Sequence, residues 1–328
     1  MSTSPQIICL GEILFDCLAD QMGRELSAVS SWTEYPGGAP ANVACALSKL
    51  GRAVAFIGCV GQDKAGDRLV SVLEESSVNI EGIQRSAQAP TRKVYVTRSL
   101  EGDRQFAGFG DLDSAQFADT RLAAADMPKS LFASADFLVI GTLALAYPDS
   151  RKATMEAIRL AQENQVKIFI DVNWRPVFWD DPEVAKSLIM DILQQADFIK
   201  CTDEEARWLS GMQHPVGIAH LFPNAKGVLV TSGEKGCAYC LGEHKGTVEI
   251  FPVQVVDTTG AGDSFVAGFL HYLCNPADSV LTSSTTAQDA VMYASAVGAL
   301  TTTKPGAIAA QPTAEEVSNF LNRQRLAA

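Results

Sequence analysis

The sequence predicts an α/β fold, a largely parallel sheet covered by helices on both faces. Three observations predict it. Short apolar runs of strand length alternate with helical segments along most of the chain. The runs read as strands buried on both faces, the signature of a parallel sheet. Late in the chain, a glycine-rich string joins a strand-like run to an apolar helix, an arrangement suited to anion binding.

In chain order, strands are expected over residues 6–10, 53–60, 137–141, 167–172, 197–201 and 227–231. Helices are expected over 40–50, 68–75, 150–163, 183–195 and 204–210, and again over 261–273, 286–300 and 313–322. Right-handed crossovers follow as the default. Two stretches break the alternation. Residues 93–100 and 104–109 flank the turn-forming Glu101-Gly102-Asp103 and, with pieces of the first forty residues, predict a small separate antiparallel sheet. Residues 237–251 predict a second hairpin, and 251–256 read as a strand. No low-complexity linker or repeat interrupts the 328 residues, so one domain spanning 1–328 with a small β excursion is expected.

Composition narrows the function. Hydrophobic residues at 47% and charged residues at 20% suit a soluble globular protein. No run approaches the roughly 18 apolar residues of a membrane span. The N-terminus has no basic segment, and Glu12 and Asp16 interrupt its apolar run, unlike a signal peptide. Cys9, Cys45, Cys59 and Cys201 sit in apolar stretches. Cys237 and Cys240, three apart in a strand, point to opposite faces. A reduced, cytoplasmic protein is expected. The net charge of −12 repels nucleic acid and anionic membranes, so neither is an expected partner. An acidic protein that binds a polyanion must offer backbone N–H groups, a few basic side chains and a cation locally.

The string DTTGAGDSF at 257–265 supplies such a place. Gly260, Ala261 and Gly262 fall at a helix N-terminus, where unpaired N–H groups and the macrodipole attract anions. Asp263, just inside that site, would repel phosphate if the loop only bound it. It makes sense as the acceptor of a proton from a nucleophile approaching that phosphate. A lone GxGD is commonly a helix-capping acid, but the whole string on a strand–loop–helix favours catalysis. A second segment, PGGAPANVACALSKLG at 36–51, turns through Gly37 and Gly38 into a helix opened by Pro40. Asn42 there offers a donor and an acceptor to a hydroxyl-rich ligand. Taken alone, such a turn is more often structural.

Other groups are weaker. Thr231, Gly233 and Gly236 end a strand where a nucleotide could lie, or form a plain loop. Neither GxxxxGK[ST] nor GxGxxG after the first strand occurs, against a P-loop enzyme or a dinucleotide oxidoreductase. The four histidines have no metal-like spacing. Arg175, between Trp174 and Trp179, follows a buried-looking strand and suits equally a sugar oxygen or a surface ion pair.

Together the two segments resemble the N- and C-terminal signatures of the ribokinase-like, or PfkB, carbohydrate kinases, and the resemblance spans essentially the whole chain. It implies a three-layer α/β/α fold with a mostly parallel central sheet and a small β-sheet lid, drawn from about 12–36 and 92–110. Within the family the chain is most similar to fructokinases. The run 199–206, IKCTDEEA, is similar to the family's N-x-x-E motif, with Thr202 for its Asn. The resemblance implies that Glu205 bears on Mg2+ through water and that Lys200, Thr202, Thr231, Gly233, Gly236 and Ser295 border the nucleotide. It also implies that Asp257 and Thr259 help hold a monovalent cation such as K+, beside the loop TTTKPGA at 301–307, and that Asp16 and Arg175 bond the sugar.

Two departures stand out. Gly110 occupies the position where relatives often carry a lid Arg, and Ser295 replaces a common Asn. The reading is therefore ATP-dependent phosphorylation of D-fructose at its 6-hydroxyl, with Mg2+ and possible K+, in a possible homodimer formed through the lid sheets. The rivals are other sugars of the same chemistry (2-keto-3-deoxygluconate, ribose, a nucleoside) and a catalytically silent member.

Overall fold

The computed structural model describes residues 4–100, 104–275 and 279–327. The turn expected at Glu101-Gly102-Asp103 lies outside them. Among the described residues thirteen strands form two sheets: β1 Ile7–Leu10, β2 Leu14–Ala19, β3 Trp32–Gly37, β4 Val54–Gly61, β5 Asn79–Ser86, β6 Lys93–Arg98, β7 Arg104–Gly108, β8 Phe137–Ile140, β9 Lys167–Asp171, β10 Phe198–Thr202, β11 Gly227–Thr231, β12 Cys237–Leu241 and β13 His244–Val248. The main sheet runs β13-β12-β11-β10-β9-β8-β1-β4-β5. Its strands pair in parallel from β5 to β11, and only β12 runs against the rest.

Side chains along each strand alternate between two cores, as the pleat dictates. Ile7, Cys9, Phe56, Phe137, Phe169 and Phe198 enter one core. Ile8, Leu10, Ile57, Leu138, Ile170 and Ile199 enter the other. Helices α1 Ala39–Lys49, α2 Lys64–Glu75, α8 Ala261–Leu273, α9 Ser279–Thr282, α10 Ser284–Thr301, α11 Ala307–Ala310 and α12 Ala314–Ala327 cover the first face. Helices α3 Lys129–Phe132, α4 Pro148–Glu163, α5 Pro182–Leu193, α6 Asp203–Ser210 and α7 Pro215–Leu221 cover the second. The result is a three-layer α/β/α body.

The small sheet runs β3-β2-β6-β7. Its two antiparallel pairs, β2 with β3 and β6 with β7, join through a parallel contact between β2 and β6. It lies over the body as a lid: Tyr35 of β3 comes within 3.5 Å of where a Cβ on Gly306 would be.

Two expectations change. Residues 251–256 form no strand, because Val255 and Val256 are exposed and this segment is held instead by Val256 and Asp257 N–H groups bonded to Thr302 O. The edge strand β5 was not foreseen, since its polar, half-solvated sequence NIEGIQRS carries little apolar signal. All eight cysteines are unpaired thiols, seven of them buried. Among the described residues no helix is long and apolar enough to cross a membrane.

Candidate active site

Asp263 is the third residue of α8. Gly260 caps that helix with φ 76°, a left-handed turn that costs other residues roughly 1–2 kcal/mol. A Cβ there would also stand 2.8 Å from Ala307 Cβ. A Cβ on Gly262 would stand 3.5 Å from Lys200 Nζ. The helix therefore begins over the C-terminal end of β10, where ligands of parallel sheets bind. Its first-turn N–H groups have no carbonyl one turn back within the helix. Among them, Ala261 N–H is partly engaged, turning to Thr258 O over a long 3.3 Å. Gly262 is exposed.

Asn42 Nδ2 donates to Asp263 Oδ2 at 2.8 Å. Burial raises the Asp263 pKa, against the Asn42 bond and the positive charges of Lys200 and Arg175. Asn42 Oδ1 is buried without a partner. Asn42 itself is fixed on α1 by its N–H to Gly38 O at 2.8 Å and by Gln311 Nε2 donating to its carbonyl at 2.8 Å. The turn before α1 is held by Glu12, whose Oε1 accepts the Ala39 N–H at 3.0 Å. A Cβ on Gly37 would stand 2.6 Å from Asp16 Oδ2, so the Asp16 carboxylate lies against that backbone. Burial pushes Asp16 up to about 6, opposed chiefly by Arg104 and also by Arg175. Arg175 is exposed, donates to Trp174 O at 3.1 Å and makes no ion pair among the described residues. Its charge instead reaches Asp16 and Asp263.

Lys200 in the middle of β10 and Asp171 at the end of β9 form a buried pair, with Nζ 3.1 Å from both carboxylate oxygens. Burial works against the Lys200 charge, but Asp171 and Glu205 hold its pKa above the usual lysine value. Thr202 and Glu205 form a capping box on α6: Thr202 Oγ1 accepts the Glu205 N–H, and Glu205 Oε2 accepts the Thr202 N–H at 2.8 Å. Glu205 Oε1 accepts the Trp174 N–H at 2.7 Å. Both of its oxygens thus serve backbone amides. Thr231 lies beside Thr202 in register. Gly233 and Gly236 shape the turn after it, with Ser232 N–H bonded to Gly236 O at 2.8 Å. Ser295 is half-buried on α10, which packs closely on α8 where Gly268 meets Ala294 and Val297.

Among the described residues no three His, Cys, Asp or Glu side chains converge on a metal. Asp171, Glu205 and Asp263 share one field, and their summed negative charge suits Mg2+ carried on phosphate oxygens and water. A monovalent cation on Asp257 and Thr259 fits poorly. Asp257 Oδ1 accepts Thr259 N–H at 3.0 Å and Thr259 Oγ1 at 2.7 Å, while Oδ2 accepts Gly306 N–H at 2.9 Å and Arg104 Nη2 at 2.8 Å. Four donors fill the four acceptor directions of a carboxylate.

Comparison with known proteins settles the lineage. The model of the pfkB family carbohydrate kinases matches residues 4–314. This chain belongs to that family. The kinase is 37% identical over 321 residues to "Probable fructokinase-2" of Arabidopsis thaliana, covering 97% of this chain and 96% of the relative. Its structure matches a fructokinase with bound ATP from Xylella fastidiosa at a TM-score of 0.88 and 31% identity, over 97% and 98% of the two chains. It matches a "putative Ribokinase II" from E. coli at 0.86 and 28%, over 97% and 99%. Its activity class is ATP-dependent sugar phosphorylation.

Sequence reasoning did not single out Glu12, Arg104, Asp171 or Gln311. Asp171 carried a usable signal, a charged residue closing a buried parallel strand. The other three reveal themselves only through partners far along the chain.

Proposed function

We propose that this kinase transfers the γ-phosphoryl group of ATP to the 6-hydroxyl of D-fructose, giving ADP and fructose 6-phosphate. The observation that carries the reading is Asp263, held by Asn42 in the first turn of α8. Asp263 accepts the proton of the attacking hydroxyl, while the helix N-terminus, Gly262 N–H included, bears on the transferred phosphoryl. Lys200, beneath Gly262, adds positive charge there. Asp16, Gly37, Gly38, Asn42 and Arg175 hold the sugar, and the buried Oδ1 of Asn42 accepts one of its hydroxyls. The nucleotide lies along Thr202, Thr231, Gly233, Gly236 and Ser295. Mg2+, bound through phosphate oxygens and water with Glu205 at one remove, supplies charge neutralisation. Fructose is favoured over other sugars by the fructokinases among the relatives.

The arrangement of the lid bears on the choice of sugar. Gly110 has φ 73°, and a Cβ there would stand 3.3 Å from Tyr95. Beside it, Phe109 joins a cluster with Phe106, Phe117 and Phe178, so an apolar group of rings borders this end of the lid.

The test is a coupled ADP-release assay on Mg-ATP with fructose, glucose, mannose, ribose, 2-keto-3-deoxygluconate and adenosine. Selective turnover of fructose is expected. Asp263→Ala should lower kcat on it by about 10^3-fold with little change in KM. Preference for another sugar replaces the substrate. Near-normal turnover by Asp263→Ala overturns the mechanism.

A further inference from the structure

We propose that Arg104 is a positioning residue of the lid, supplying to Asp257 the counter-charge that an external monovalent cation would otherwise give. Arg104 opens β7, the edge strand of the lid, which among the described residues pairs with β6 alone. It crosses the cleft to place Nη2 2.8 Å from Asp257 Oδ2. It is 38% exposed, whereas Asp257 is 10% exposed, so the pair is partly shielded from solvent. Every other acceptor direction of Asp257 is already taken by Thr259 and Gly306. A guanidinium and a bare cation cannot both complete that set.

The pair matters because of what Asp257 begins. Its N–H bonds Thr302 O at 3.1 Å, and its carboxylate organises Thr259 and Gly306. Thr259 leads directly into Gly260 and the first turn of α8, and Gly306 precedes Ala307, which packs against Gly260. A lid strand that grips Asp257 therefore fixes the loop bearing Asp263 at the moment the lid lies closed. A guanidinium does this directionally, as a spherical ion cannot. The other end of β7 is fixed independently by Phe109, whose ring lies 5.3 Å from Phe178. The edge strand is thus attached to the body at both ends, by rings at Phe109 and by an ion pair at Arg104.

The test uses the full chain, as wild type, Arg104→Gln and Arg104→Lys. Thermal unfolding is measured in potassium chloride and in choline chloride at equal ionic strength, and hydrogen exchange is followed in β7 and in residues 302–306. The wild type should melt at the same temperature in both salts. Arg104→Gln should melt about 1–3 °C lower in choline and recover in potassium, with severalfold faster exchange in both segments. Arg104→Lys should fall between. Potassium stabilising the wild type as much as Arg104→Gln would show a cation site independent of Arg104 and sink the proposal. So would Arg104→Gln matching the wild type in both salts and in exchange. None of these readouts needs turnover, so they stand or fall apart from the choice of fructose.

Discussion

Asn42 and Asp263 stand 221 residues apart in sequence and meet through one hydrogen bond of 2.8 Å. That bond stabilises the ionised form of Asp263, in opposition to burial, which raises its pKa. Asp263 must be ionised to accept a proton, so turnover rises as pH climbs through its folded pKa. Removing the amide in Asn42→Ala should push that pKa further up and move the acid limb of the pH–kcat profile to higher pH. It should also lower kcat/KM for the sugar by about 10–100-fold, the loss expected for a hydrogen bond to a charged group together with a lost sugar contact. A profile with an unmoved acid limb would detach Asn42 from proton transfer. Asn42→Asp should be worse, because it sets a like charge against Asp263.

Between β1 and β2, Glu12 ties the lid's first strand to the start of α1. It is 6% exposed, accepts the Ala39 N–H, and burial pushes it up to about 7 from an ordinary 4.5. A raised carboxyl pKa means that the folded state holds the proton more tightly than the unfolded chain. Its stabilising contribution is complete below about 4.5 and is lost as pH rises to about 7. Glu12→Gln removes the titration while keeping an oxygen for Ala39. Denaturant unfolding should show the wild type losing about 3 kcal/mol relative to Glu12→Gln across that range; parallel curves would refute it. Elements of this kind mark the limit of what the sequence discloses. The parallel strands and α8 were legible because apolar period and glycine chemistry act over a few residues. Residues 261–273 and 227–231 fall where the pattern put them. Asp263, Asn42 and the glycine turns were legible because each sits inside a local string. Glu12, Arg104 and Gln311 were not, because their work is done on Ala39, Asp257 and Asn42 across 27 to 269 residues. The 251–256 segment misled for the same reason: its valines look strand-forming, but among the described residues no neighbouring strand pairs them.

At the scale of the molecule, the lid must hold its angle to a body built on two separate cores, and Arg92 is the joint. It precedes β6 and is fully buried, with its guanidinium 2.6 and 3.0 Å from the oxygens of Asp119 and bonded to Ser114 O. Phe109, Phe117, Tyr147 and Phe178 surround it at 4.6 to 5.6 Å. Phe109 follows the last lid strand and Phe178 follows Arg175, so one buried charge gathers the lid's root, its far end and the sugar-side loop. Charge removed from water is costly, and a pair like this repays the cost only while both partners are present. Asp119→Ala should therefore destabilise the protein by about 3–5 kcal/mol, because it strands the guanidinium among rings. The double change Arg92→Met with Asp119→Leu should recover most of that loss, since apolar groups of similar volume fit the same cage. Urea unfolding of both variants reads the difference. If Asp119→Ala cost less than about 1 kcal/mol, Ser114 and the rings would be holding Arg92 without its carboxylate, and the joint would be a matter of packing rather than of charge.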